Sequence, residues 1–307
     1  MYATTYHRPG SVAEAATLIG ANPEAKVLAG GQTLLPTMKQ HLAAPSDLVD
    51  IRRIPGMAGV SAAGGVLTIG AATAHADVAR NADVLRHAPA LACLAAGIGD
   101  PAVRHMGTIG GSVANNDPAA DYPSAVLALN ATVVTNRREI AADAYFKGMF
   151  TTALEEGEII TAIRVTPPKR AGYAKFANPA SRYALVGVFV AETASGVRVA
   201  VTGAGANGVF RHKGLEAALA ASFTPEAVDG VKISAEGLLS DIHAAADYRA
   251  HLIGVMARRA VAAACAAGAG APRRPPPNAS SPCHLPISKP ASRPPAARMV
   301  ARAPTSR

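Results

Sequence analysis

Ala29-Gly30-Gly31-Gln32-Thr33 and Thr108-Ile109-Gly110-Gly111-Ser112 are the two stretches on which the reading of this chain turns. Each joins a glycine pair to a short apolar run, with a hydroxyl residue just beyond it. Paired glycines let the backbone turn sharply and bring bare N–H groups close to a ligand. A row of such groups makes a concave anion site. Two loops of this kind, one small subdomain apart, could hold a diphosphate from two sides, which points to a dinucleotide rather than a lone phosphate. By itself Gly30-Gly31 is explained equally well as a tight strand–helix turn. The second loop shifts the balance, because Asn115, Asn116, Asp117 and Asp121 follow it and such acceptors suit sugar hydroxyls.

Outward from the first loop, Ser11 and Glu14 resemble a capping box ahead of Ala15, Ala16, Leu18 and Ile19, which is a helix start. Residues 25–29 read as a buried strand running into the loop. Residues 34–41 read as a helix that tolerates Pro36 in its first turn, and 47–51 as another strand. Residues 1–55 are thus expected to form a β–α–β-like unit. A second unit opens with a strand over 66–70 and helices over 76–86 and 89–96. The small and apolar alternation over 107–114 predicts strand and turn, continued by 125–129 and 132–135, and 158–165 reads as a strand before Pro167-Pro168. In a third unit, 184–191 and 196–202 look like an antiparallel pair. Helices are expected over 215–221, 225–228 and 248–267; in the last, Leu252, Met256, Val261 and Ala264 approximate one face.

A length of 307 residues suggests two domains and a tail. The net charge of +9 is mostly a tail property. Seven of the 30 basic residues and none of the 21 acidic ones lie in 268–307, leaving 23 basic against 21 acidic elsewhere. That argues against a nucleic-acid partner. The same segment holds ten prolines and almost no apolar periodicity, so it is expected to be disordered. Cys93, Cys265 and Cys283 are scattered, with no metal spacing, so this chain cannot build its own iron–sulfur cluster. No disulfide framework, signal pattern or membrane span is read, and the expected location is cytoplasmic.

Gly203-Ala-Gly205-Ala-Asn-Gly208 matches GxGxxG after an apolar run. A nicotinamide-binding unit needs a helix starting directly at Gly208. Val209-Phe210-Arg211 follows instead, so the stretch is read as a loop. His75, His87 and His105 lack paired ligand spacing and are read as surface or capping residues. Asp117 and Asp121 are read first as hydrogen-bond acceptors and turn caps rather than as paired acids.

Ala29 to Lys39 resembles the first flavin loop of the molybdenum-hydroxylase flavoproteins, and Arg104 to Ser112 with Asp117-Pro-Ala-Ala-Asp121 resembles the second. Leu67 to Ala71 with Thr73 and His75, and the closing Tyr248-Arg-Ala-His-Leu252 with Arg258-Arg259-Ala260, match in order and spacing. The likeness spans about residues 1–267 and is greatest to FAD-binding medium subunits of the aerobic carbon monoxide dehydrogenase branch. It implies an α+β fold: a p-cresol methylhydroxylase-type FAD-binding module over 1–167, in subdomains of about 1–55 and 56–167. A C-terminal domain with a small antiparallel sheet and helices would cover 168–267.

The resemblance also implies FAD, a large molybdenum-cofactor subunit, a small iron–sulfur subunit and an external electron acceptor. By the same resemblance, Ala29, Gly30, Gly31, Gln32, Thr33, Leu34 and Leu35, with Thr108, Ile109, Gly110, Gly111 and Ser112, hold the pyrophosphate and nearby groups. Asp121 reaches the ribityl side, Ile98 lies beside the adenine portion, and Ile160 and Lys175 lie near the flavin ring. Tyr183 stands in front of the ring. Gln32 replaces a histidine frequent in that branch, and both donate a hydrogen bond. The runner-up is a self-contained flavin reductase using a nicotinamide at 203–208. A third reading is a non-catalytic dinucleotide-binding subunit.

Overall fold

The computed structural model describes residues 2–268, so the expectations for 269–307, including Cys283, lie outside the described residues. Gly268 itself ends the last helix instead of opening a tail.

The first unit is a three-stranded parallel sheet of β1 (Thr5–His7), β2 (Lys26–Leu28) and β3 (Asp47–Asp50), in the order β1-β3-β2. β1 was not legible in the sequence, being three residues long and half exposed. Ser11 caps the Val12–Ala21 helix by accepting from Glu14 N, and the Glu14 carboxylate accepts from Gly10 N. One orphan donor of the first turn and the N–H just before the cap are thereby satisfied. Leu28, Met38 and Leu48 make this unit's small core, with Leu34 and Leu35 packed against it.

Next come β4 (Val60–Ala63), β5 (Val66–Gly70), β6 (Thr132–Thr135) and β7 (Glu139–Ala141). A two-stranded ribbon follows, β8 (Phe146–Gly148) with β9 (Thr151–Thr152), and then β10 (Ile160–Val165). The five longer-range partners form an antiparallel sheet ordered β4-β5-β10-β6-β7. Six short helices fill the connection from β5 to β6. Five of them correct the sequence reading. Residues 109–115 are helical, not strand and turn, because Thr108 caps the segment and it packs on β10. Tyr122–Ala128 is a helix whose seven residues are all buried, so no polar period marked it. The helix expected over 76–86 is two, His75–Arg80 and Ala82–His87, because the Asn81 side chain accepts from Asp83 N and Val84 N and restarts the helix. Pro101–Met106, capped by Asp100, is an additional helix.

The expected antiparallel pair is the centre of a four-stranded antiparallel sheet: β11 (Arg170–Ala177), β12 (Ala184–Thr193), β13 (Gly196–Thr202) and β14 (Phe210–Arg211). Along β12, Val186, Val188 and Val190 belong to a core shared with the Ala246–Gly268 helix, whereas Phe189 and Ala191 belong to the main core. Side chains alternate faces along a strand, so an uninterrupted apolar run means that both faces are covered. The sheet is therefore a middle layer, with the long helix on one side and the Tyr122–Ala128 helix on the other. The whole is an α+β fold. Among the described residues, no helix is long and apolar enough to cross a membrane.

Candidate functional site

Steric contact joins the two glycine loops. A Cβ on Gly30 would stand 2.3 Å from the Met106 carbonyl oxygen and 2.5 Å from Gly107 Cα. A Cβ on Gly111 would stand 3.5 Å from Ala29 Cβ. The first loop thus lies directly against the segment that leads into the second, an approach that only glycine at position 30 permits. Gly31 adds a left-handed turn, with φ +71°, and Leu35 N closes back on Gly31 O. No acceptor among the described residues takes the N–H groups of Gly30, Gly31, Gln32 and Thr33. Four unspent donors in succession form a nest for an anion.

The second loop works differently from its sequence reading. Ile109 N donates to Thr73 O, Gly110 N to Ala71 O at 2.8 Å, Gly111 N to Thr108 Oγ1 and Ser112 N to Thr108 O. Its N–H groups are spent within the protein rather than bare. Gly110 is buried, and a Cβ there would meet Ala71 Cβ at 2.5 Å. Its glycine is therefore demanded by close packing against the end of β5. What this loop presents is the Ser112 hydroxyl, which has no hydrogen bond among the described residues.

Behind the loops, a Cβ on Gly107 would lie 2.6 Å from His75 Nε2. The His75 ring lies 5.2 Å from that of Tyr122. His75 is therefore buried, not a surface residue. Burial, seconded by the Arg104 charge, lowers its pKa to about 4. His75 Nδ1 and Tyr122 Oη are buried without hydrogen-bond partners among the described residues.

Next to Tyr122 is Asp121, which the structure joins to Lys175: Nζ lies 3.0 Å from Oδ2. Lys175 also donates to Gly97 O at 2.9 Å, which brings Ile98 to the same place. Arg104 holds that turn by donating to Ile98 O and Gly99 O. Tyr173 donates to Asp121 Oδ1. Burial raises the Asp121 pKa, against the Lys175 charge and the hydrogen bonds from Tyr173 and Lys175. Tyr173 had no place in the sequence reading, and Arg104 entered it only as the first residue of the second loop. Tyr173 was findable, since it stands two residues before Lys175 on one strand and so on the same face.

Tyr183 is 44% exposed, on the β11–β12 turn. It lines a cavity of about 320 Å³ with Asp117, Asn178, His243 and Arg249 among others. Burial, then the Asp117 and Asp121 charges, raises its pKa. Backbone bonds from Ala184 N to Ala119 O and Gly203 N to Pro118 O dock the 117–121 segment there. Ile160 is not brought to this surface; it is 4% exposed in the main core. Its neighbour Thr161 accepts from Ala71 N, so this strand supports the floor under Gly110. Residues 203–208 form the loop from β13 to β14, and no helix starts at Gly208. Among the described residues no group of three metal-ligating side chains occurs.

A family described as the FAD binding domain in molybdopterin dehydrogenase matches residues 2–168. The carbon monoxide dehydrogenase medium chain of Hydrogenophaga pseudoflava is 37% identical over 278 residues, 85% of this chain and 96% of the relative. The nicotine 6-hydroxylase medium subunit of Paenarthrobacter nicotinovorans is 36% identical over 84% of this chain and 96% of its own length. Among solved structures, the Hydrogenophaga pseudoflava carbon monoxide dehydrogenase that lacks the Mo-pyranopterin moiety superposes with TM-score 0.79 at 37% identity, covering 86% of this chain and 98% of that one. Quinoline 2-oxidoreductase from Pseudomonas putida 86 gives TM-score 0.78 at 27% identity, covering 87% of this chain and 98% of that one.

Proposed function

We propose, from the premise that this chain belongs to the FAD-binding family of the molybdopterin dehydrogenases as a medium-type subunit, that it relays electrons from a partner's iron–sulfur clusters to an external acceptor. The clusters would belong to a small subunit, and the substrate would be oxidised in a large molybdenum-cofactor subunit. When bound, FAD supplies the redox chemistry; this chain's residues bind and orient it.

One observation carries the reading: the abutment of Ala29–Gly30 on Met106–Gly111, with four N–H donors unspent at Gly30 to Thr33. A cradle that a Cβ would fill, lined by donors without acceptors, fits a pyrophosphate. Within 29–35, Leu34 and Leu35 anchor the loop on its small core while the backbone from 30 to 33 faces the anion. Across from it, Thr108 to Gly111 shape the wall and Ser112 offers a hydroxyl. Ile98 is assigned to the adenine side, Asp121 and Lys175 to the ribityl and ring side, Tyr183 to the front of the ring, and Ile160 to the floor. Residues 1–167 are proposed as the FAD-binding unit and 168–267 as the C-terminal domain. A cytoplasmic location goes with this assignment.

The test is the full-length chain purified alone and with candidate large and small subunits. The expected outcome is a flavin spectrum, released FAD approaching one per chain at saturation, no iron, and co-purification as a complex. A chain that takes up no FAD, or that carries iron at cluster stoichiometry, would overturn the reading. Rapid reduction of the isolated FAD-loaded chain by NADH would replace it with the self-contained reductase.

A further inference from the structure

The Asp121 carboxylate is 4% exposed, and both its oxygens are engaged. Lys175 bridges it to Gly97 O, and the Lys175 side chain is itself only 10% exposed. The other donor is the Tyr173 hydroxyl, whose residue is 7% exposed. The hydroxyl has room because position 187, on β12 opposite Lys175, is glycine: a Cβ there would stand 2.6 Å from Tyr173 Oη. A buried polar group that lost its partner would carry a desolvation cost, so this bond ties β11 to the start of the Tyr122–Ala128 helix. The link runs onward through Lys175 to the Gly97–Ile98 turn.

We infer that Tyr173 is a positioning residue: its hydroxyl holds the Asp121 carboxylate, and through it Lys175 and the Gly97–Ile98 turn, in the arrangement that receives FAD. This rests on the functional reading above. Tyr173 acts through Asp121 and needs no contact with the ligand. A hydrogen-bond donor aimed at a carboxylate favours its ionised form, so the Tyr173 bond, with Lys175, opposes the burial that raises the Asp121 pKa. The titratable groups around Asp121 are Lys175 and Tyr173 on β11, Tyr183 on the adjoining turn, and Tyr122 and Asp117 on its own segment.

The experiment compares wild type, Tyr173→Phe, Asp121→Asn and the double variant as full-length chains. FAD dissociation constants are measured from about pH 5 to 8, across the range into which burial can lift a carboxylate, with melting temperatures alongside. Tyr173→Phe is expected to weaken FAD binding several-fold at neutral pH and to move the acid limb of the profile upward. Asp121→Asn should abolish that limb, and adding Tyr173→Phe to it should change nothing further, because the hydroxyl acts only through the carboxylate. Additive effects in the double variant, or a Tyr173→Phe chain that melts lower with an unmoved pH profile, would overturn the inference. If wild type takes up no FAD at all, the functional reading falls with it. FAD uptake by wild type with either contrary result removes only the role of Tyr173.

Discussion

Individual glycines separate packing from binding at this site. Gly110 and Gly30 stand against backbone and β5, so a side chain at either must displace structure. Gly110→Val is expected to lower the melting temperature and FAD uptake together. Gly31 differs: a Cβ there meets mainly the Leu35 side-chain tip at 2.9 Å, and the left-handed φ costs about 1 kcal/mol. Gly31→Ala should therefore melt only a few degrees lower yet bind FAD at least several-fold more weakly. Equal FAD affinity in Gly31→Ala and wild type would remove the first loop from the site. His75 makes a second residue-scale prediction. Its folded pKa of about 4 lies below the ordinary 6.5, so the unfolded chain binds the extra proton between those values. Stability is full above pH 6.5, declines as pH falls towards 4, and changes no further from this group below that. The loss is on the order of 3 kcal/mol at most. A His75→Gln chain should show a shallower decline across the same window in urea titrations at stepped pH.

At the scale of elements, the Ile109–Asn115 helix shows what a local pattern conceals. Small and apolar residues in alternation resemble a strand, but Thr108 Oγ1 accepts from Gly111 N and starts a helix instead. Thr108→Ala should cost about 1 kcal/mol through this cap, with FAD binding weakened because the wall of the cradle frays. An unchanged denaturation midpoint would show that packing on β10 alone holds the helix. At its other end Asn116 takes a left-handed conformation, and its side-chain amide donates to Gly148 O and Thr151 O, fixing the β8–β9 ribbon. β8 and β9 were illegible in advance, since two- and three-residue strands carry no period and exist only through such partners. The Ser11 cap, the β5 strand and the β12–β13 pair were legible because their signals lie within a few consecutive residues.

Across the whole molecule, the middle sheet is joined to the FAD-binding part by buried cations. Arg198 on β13, with 6% of its side chain exposed, donates to Leu127 O and pairs with Asp143. Arg198→Met should leave that carbonyl without its partner and Asp143 with Arg211 alone, and cost about 2 kcal/mol, less than a fully buried pair because Asp143 is half exposed. A change below about 0.5 kcal/mol in urea unfolding, the size of an ordinary surface substitution, would show that the layers hold without it. By itself the sequence determined the two loops, the α+β class, the flavoprotein family and the want of metal-ligand spacing, because glycine pairs, caps and short apolar runs state their chemistry locally. Only the tertiary structure decided which loop offers free N–H groups. It alone showed that Gly110 packs against Ala71, that Ile160 is buried in the main core, and that Tyr173 donates to Asp121 beside Lys175. Those facts depend on which atoms from distant segments come within hydrogen-bond or van der Waals distance, and no local pattern in a chain records them.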